Sequence, residues 1–182
     1  MTIPCGTRWR GGDMRSWCHR KRLPTGSRST SGLLSAASCR YQPWGGNTVE
    51  DTKRFVADAI ASCGNDPQDR YVWAGLNARA DVIGLGELHV RSRRWRQGEV
   101  AYAVHTRHWG SGIATAIATQ LVGFAFDRLG LHRVAATCDP RNVASAAVLR
   151  KVGMTREGRV NLAASGGLGE CGQYNLPASP CW

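Results

Sequence analysis

The sequence predicts an α/β (α+β) fold in which a central, mixed and twisted sheet is flanked by helices, and three observations predict it. From Thr48 onward the apolar residues alternate between helical and strand spacing in the order helix, three strands, helix, strand, helix. Clusters of Gly, Pro, Asn and Asp punctuate the switches. The long second helix joins two strands, which favours a right-handed crossover between parallel neighbours with the helix laid on one sheet face.

The elements follow in order. Residues 1–40 are rich in Arg, Ser, Gly and Cys and hold no sustained apolar period apart from Leu33-Leu34-Ser35-Ala36-Ala37, so they are read as a basic, poorly ordered segment. Thr48-Val49-Glu50-Asp51 is a capped helix start with early acids, leading into Phe55-Val56 and Ala59-Ile60 at helical spacing and ending at Cys63-Gly64-Asn65-Asp66-Pro67. Strands are predicted at Tyr71 to Leu76 and Val82 to Val90, joined by a hairpin loop at Asn77 to Asp81. The basic run Arg91 to Arg96 is an exposed connection before a third strand at Glu99 to Val104. A long apolar helix spans Ile113 to Leu129 and stops at Gly130. A strand at Arg133 to Cys138 and a helix at Val143 to Val152 follow, and Met154 to Arg159 is free to start another strand. The domain reading is therefore 41–160, with 161–182 as a Gly/Ser-rich tail.

Charge narrows the function classes. The net charge is +11, but residues 1–40 carry net +7, residues 41–160 net +5 and residues 161–182 net −1. A basic segment of that kind is more often a solvated appendage than a folded groove, which argues against nucleic acid as the main partner, and the remaining excess suits an anionic coenzyme. No run approaches the roughly 18 apolar residues of a membrane span, and Met1 to Pro24 lacks the apolar core of a signal peptide, so no membrane partner and a cytoplasmic location are expected. Seven cysteines, an odd count, speak against a disulfide framework. No Cys-x-x-Cys pair or completing histidine set is present, so no metal is expected.

The central chemical signal is Arg107-x-x-Gly110-x-Gly112, between a strand and a helix N-terminus. Successive backbone N–H groups in such a turn, with the positive end of the helix dipole, bind phosphate oxygens without a charged side chain. The surrounding residues, Gly98-Glu99-Val100-Ala101-Tyr102-Ala103-Val104-His105 to Gly112 and then Ile113-Ala114-Thr115-Ala116, closely resemble the coenzyme A site of GNAT acyltransferases. Leu129 to Val134, Asp139-Pro140-Arg141-Asn142-Val143-Ala144-Ser145 and Leu149 to Met154 resemble one branch, the ribosomal-protein-alanine acetyltransferases of the RimJ/RimL type. The resemblance runs from about Pro43 to Arg159.

That resemblance implies an acyl-CoA-dependent N-acetyltransferase that moves an acetyl group from acetyl-CoA to a primary amine, acting as a monomer or homodimer. It implies that the pyrophosphate sits on Arg107, His108, Trp109, Gly110, Ser111 and Gly112, with Ile113 and Ala114 opening the helix. Ala103 and Val104 would meet the pantetheine arm through backbone hydrogen bonds, and Asn142 and Ser145 would face the thioester. Asn142 is equally an N-cap residue, and the two roles are compatible. Ser145 is either a solvent-facing helix residue or the group that protonates the departing thiolate. Glu99 is the carboxylate favoured for taking the amine's proton, directly or through water. Glu87 is read first as a solvated strand residue, and Glu157 is a lesser candidate that would lie near the site if Met154 to Arg159 forms the next strand. Tyr102 and His105 have acid–base chemistry, but a strand tyrosine is more often packing, and both are left out of the catalytic set.

The termini depart from the branch. Residues 1–40 lack its Leu/Arg-rich opening strand and helix, and the segment from Asn161 lacks its closing strands. The abrupt change of texture at Tyr41 and Asn161 is what translation of both ends out of the ancestral frame would leave, the alternative being a divergent member with unusual termini. Missing terminal strands would expose sheet edges and weaken the acceptor pocket. The competing readings are a coenzyme-binding pseudoenzyme and a basic nucleic-acid-binding protein.

Overall fold

The computed structural model describes residues 7–9, 12–16, 40–41, 48–164 and 167–178. Eight strands form one sheet: β1 (Thr7–Trp9), β2 (Gly12–Ser16), β3 (Arg70–Leu76), β4 (Val82–Ser92), β5 (Gln97–Val104), β6 (Arg133–Cys138), β7 (Thr155–Ala164) and β8 (Gly167–Pro177). Their order across the sheet is β1-β2-β3-β4-β5-β6-β8-β7. Every neighbouring pair is antiparallel except β5 and β6, which run parallel. Among the described residues three α-helices, α1 (Val49–Ser62), α2 (Ile113–Asp127) and α3 (Val143–Lys151), flank the sheet, and α2 is the crossover between the two parallel strands.

Local chemistry sets these boundaries. Thr48 and Asp51 form a reciprocal capping box: the Asp51 N–H donates to Thr48 Oγ1 and the Thr48 N–H to Asp51 Oδ2, each at 3.1 Å. The β3–β4 loop is held by Asn77 Oδ1, which accepts from the Arg79 and Asp81 N–H groups at 2.9 Å. Ending α2, Gly130 adopts φ +60°, the left-handed conformation expected of a helix stop. No helix among the described residues is long and apolar enough to cross a membrane.

The sheet packs on both faces. On the back, α2 and α3 cover β4, β5 and β6 with Leu88, Ile117, Leu121, Val134 and Leu149 fully buried. Glycines let α2 lie close, because a Cβ at Gly84 would stand 2.6 Å from Ile117 Cδ1 and one at Gly86 2.8 Å from Ile117 Cγ2. On the front, α1 packs Ala59 against Val72, Ala74, Val82 and Leu85.

Three readings of the sequence need correction. The strand predicted to end at Val90 continues to Ser92, so Arg91 belongs to the sheet rather than to an exposed connection. The terminal segments supply strands where none was assigned: β1 and β2 form a hairpin on the β3 edge, and β8 inserts between β6 and β7. Glycine-rich β8 carries little side-chain pattern, but it is paired along both edges, and backbone pairing supplies what composition does not show. Finally, Cys63, at the end of α1, is disulfide-bonded although the cysteine count argued against a framework.

Gly98 gives the fold a direct test. A Cβ there would meet Leu131 Cδ1 at 2.6 Å and the His89 carbonyl oxygen at 3.2 Å. Gly98→Val should cost about 1–3 kcal/mol of stability by overpacking, read as a lowered urea midpoint at unchanged m-value. An unchanged midpoint would show that the β5–α2 layer is loosely packed.

Candidate active site

The parallel pair β5–β6 is zipped only at one end. Gln97, Gly98 and Glu99 face Arg133, Val134 and Ala135, and beyond them the two strands part. β5 stays with β4, since the His105 N–H donates to the Ile83 carbonyl at 3.0 Å. Hydrogen-bonded pairs alternate in an antiparallel ladder, so the backbone groups of Tyr102 and Val104 turn away from β4, toward the gap. The Val104 carbonyl accepts there from Trp109 Nε1 at 2.9 Å.

A cleft of about 410 Å³ runs through this wedge. On the front side it is lined by Glu87, His89 and Arg91 of β4, Glu99 and Ala101 of β5, and Thr137 of β6. Toward the back it reaches Tyr102, Cys138, Asn142, Ser145 and Leu149, and Tyr41, Asp139 and Cys171 also border it. The two sides differ in chemistry. The front is a set of ion pairs, and the back is a hydroxyl pair at the start of α3.

At the back, Asn142 Oδ1 accepts from the Ser145 N–H at 3.0 Å, so the N-cap role is realised. Ser145 Oγ lies 2.8 Å from the Tyr102 hydroxyl, which also reaches the Ser145 carbonyl at 3.2 Å. Burial pushes the Tyr102 phenol up to about 12, keeping it a proton carrier. The Cys138 thiol is likewise pushed up by burial and donates to the Asp139 carbonyl at 3.2 Å. Sequence reasoning set Tyr102 aside as packing. Its signal was a polar ring among small residues, Ala101 and Ala103, on a strand whose edge is left open.

At the front, Glu99 Oε2 accepts from Arg91 Nε at 2.8 Å and from its Nη2 at 2.7 Å, while Thr137 Oγ1 lies 3.4 Å from Glu99 Oε1. Glu87 Oε1 accepts from Arg70 Nε at 2.5 Å and meets His89 Nε2 at 2.7 Å. Burial alone would raise the Glu87 carboxyl, but the hydrogen bonds from His89 and Arg70 outweigh it and hold the group below the ordinary value of 4.5. The sequence reading of Glu87 as a solvated strand residue is therefore corrected: its side chain is 15% exposed and its Oε1 is held by Arg70 and His89. Glu157 is tied to Arg133 and accepts from Asn175 Nδ2 at 2.8 Å, at the zipped end of the wedge and outside the cleft lining.

The phosphate-cradle turn stands at the other end of β5. Thr106–His108 form one 3-10 turn, with His105 Nδ1 accepting from the Arg107 N–H at 3.2 Å. Burial, with Arg107 and His108 nearby, lowers the His105 imidazole from its usual value. Ser111 Oγ donates to the His108 carbonyl at 2.6 Å. Gly110 and Gly112 take φ +76° and +82°, with open space where a Cβ would stand. Gly112 precedes α2 without a side-chain cap, so the first N–H groups of Ile113 and Ala114 lack a local acceptor of that kind. Ile113 is buried and Ala114 packs against the core. None of residues 107–114 lines the cleft, and Ala103 packs with the front cluster around Leu85. The structure thus brings together Ser145, Asn142 and Glu99 and sets the cradle apart, at the open end of the wedge.

The profile of the family described as "Acetyltransferase (GNAT) domain" matches residues 31–155. The chain belongs to the GNAT acetyltransferase family. Among similar proteins, the uncharacterized N-acetyltransferase YoaA of Bacillus subtilis (strain 168) is 32% identical over 78 residues, 43% of this chain and 44% of that protein. FsC-acetyl coenzyme A-N(2)-transacetylase of Aspergillus fumigatus is 28% identical over 114 residues, 59% of this chain and 48% of that one. The chain spans less than half the length of these two curated relatives. A GNAT acetyltransferase from Bacillus anthracis superposes with a TM-score of 0.73 at 20% identity, covering 94% of this chain and 98% of that one. The ribosomal-protein-S5-alanine acetyltransferase of Vibrio fischeri gives 0.72 at 17%, covering 94% and 96%. At these identities the likeness establishes the GNAT fold, with its mixed sheet and flanking helices.

The Glu87 network predicts a pH signature. A carboxyl held below its ordinary value in the folded chain contributes stability that is present above that value and lost as pH falls through the folded one. Glu87→Gln should therefore be less stable than the wild type at neutral pH. The gap should close as pH falls below 4.5, in urea denaturation across that range. A gap independent of pH would mean that the ion pair with Arg70 does not govern the effect.

Proposed function

We propose that this chain is an N-acetyltransferase of the ribosomal-protein-alanine type, moving an acetyl group from acetyl-CoA to a primary amine such as a protein N-terminus. The observation that carries the reading is the parting of β5 and β6 after three residue pairs, which opens a passage from an ion-paired front to the hydroxyl of Ser145. The residues present fit the coenzyme. Left-handed Gly110 and Gly112 in open space suit a pyrophosphate on the N-terminus of α2, with Arg107, His108, Trp109 and Ser111 around it. The gap-facing backbone groups of Tyr102 and Val104 suit an extended arm running down to Asn142 and Ser145. When bound, the coenzyme supplies the activated acyl group.

The chain's own groups then divide the work. The wedge admits the amine from the front and orients it toward the thioester carbonyl, and Glu99, fixed by Arg91 and Thr137, presents a carboxylate to the incoming ammonium. Ser145 passes its hydroxyl hydrogen to the departing sulfur while the Tyr102 hydroxyl resupplies Ser145 Oγ. Sequence reasoning favoured Ser145 and Glu99 for the chemistry, and Tyr102 joins them as the partner that holds and recharges the serine.

Thermal unfolding with and without acetyl-CoA tests the donor half. At about 100 times the dissociation constant, acetyl-CoA should add about 2.7 kcal/mol to the folded protein. Gly110→Asp and Gly112→Asp should lose most of that gain, through negative charge where the phosphates belong. Equal gains in all three proteins, or none in the wild type, would refute the assignment. Ser145→Ala should cut kcat by about 10²-fold at unchanged coenzyme stabilisation, measured as thiol release with alanine- and serine-initiated peptides. Stabilisation without turnover on any amine would mark a coenzyme-binding pseudoenzyme.

A further inference from the structure

The geometry points to His89 as the base that takes the proton from the acceptor amine, with Glu87 as the positioning residue that fixes its tautomer, an inference that rests on the acetyltransferase reading. His89 lines the front of the cleft and stands directly across the β4–β5 ladder from Glu99. Its side chain is 33% exposed, open enough to meet a substrate and anchored enough to be oriented. Glu87, bound to Arg70 and held ionised by its donors, acts as an acceptor, so the 2.7 Å contact places the hydrogen on His89 Nε2. Nδ1 is then a bare lone pair, and it takes no hydrogen bond among the described residues. This is the arrangement by which a carboxylate orients an imidazole for proton abstraction.

Elimination among the other groups of the cleft supports the choice. Glu99 spends Oε2 on two Arg91 nitrogens and has Thr137 at Oε1. The Asp139 carboxylate is occupied by Arg141, which donates from Nε at 3.0 Å and from Nη2 at 2.7 Å and holds it below the usual range. Burial raises the Cys171 thiol. Tyr102, on the other side of the wedge, is suited to giving a proton rather than taking one. The proton-accepting role expected of Glu99 thus moves one strand across, and Glu99 keeps that of orienting the ammonium.

The step balances. The ammonium held by Glu99 first gives one proton to water, and the free amine's nitrogen then bonds to the thioester carbonyl carbon as the carbon–sulfur bond breaks. One N–H proton goes to His89 Nδ1, and the sulfur takes the hydrogen of Ser145. Both sites re-equilibrate with water afterwards.

The test combines kinetics with a measurement that needs no turnover. With acetyl-CoA and an alanine-initiated peptide, H89Q should lower kcat by about 10²- to 10⁴-fold while leaving the KM for acetyl-CoA unchanged, and the acid limb of the kcat/KM profile should disappear. E87Q, which removes the acceptor that orients the ring, should lower kcat by a smaller factor than H89Q, whereas E99Q should mainly raise the KM for the peptide. Long-range ¹H–¹⁵N NMR of the folded wild type should show the His89 hydrogen on Nε2, and E87Q should shift the tautomer balance. Turnover by H89Q with the acid limb intact, or an Nδ1–H tautomer in the wild type, overturns the base assignment alone. Absence of turnover by the wild type overturns the acetyltransferase reading and the base with it.

Discussion

The site depends on one constraint, the failure of β5 and β6 to stay paired. Each strand is committed elsewhere, β5 to β4 along its whole length and β6 to β8 from Arg133 to Cys138. The three residue pairs they share act as a hinge line, and everything above it is a slot through the sheet. The backbone groups of Tyr102 and the Val104 N–H that face the slot need partners, as buried peptide groups do, whereas the Val104 carbonyl already accepts from Trp109 Nε1. A continuous sheet would satisfy them with β6 and leave no passage. The fold thus holds hydrogen-bonding capacity open at the place where an extended, amide-bearing ligand can use it.

Across the slot the two faces are tuned in opposite senses. On the front, carboxylates are surrounded by Arg70, Arg91, His89 and Arg141 and are held as acceptors. On the back, burial keeps the phenol of Tyr102 and the thiol of Cys138 protonated. A reaction that sheds a proton on one side and needs one on the other is matched by that polarity. Glu87 links fold and chemistry, since the same contacts that stabilise its burial also orient His89.

Much of this was legible in the residues themselves. Thr48 and Asp51, Asn77, Gly130 and Asn142 act through local hydrogen bonds or local backbone conformation, and local chemistry can be read from neighbours in sequence. The cradle turn was legible for the same reason, because Gly110 and Gly112 report their own φ angles. The pairings that make the cleft were not. His89 meets Glu99 only through strand register, and Tyr102 meets Ser145 across 43 positions of chain. Strand β8 escaped notice because Gly167, Gly169 and Gly172 give it no apolar alternation, while its place in the sheet rests on β6 and β7.

The position of β8 also orders events in time. β6 forms one wall of the slot, yet it shares only three pairs with β5, and its other edge is completed by a strand synthesised after every other element of the sheet. On a nascent chain β4, β5 and α2 can assemble by contacts between neighbouring elements, whereas the wall carrying Thr137 and Cys138 waits for residues 167–177 to be released. The slot is therefore completed late, and a chain lacking β8 would present a half-built slot with an unpaired strand edge.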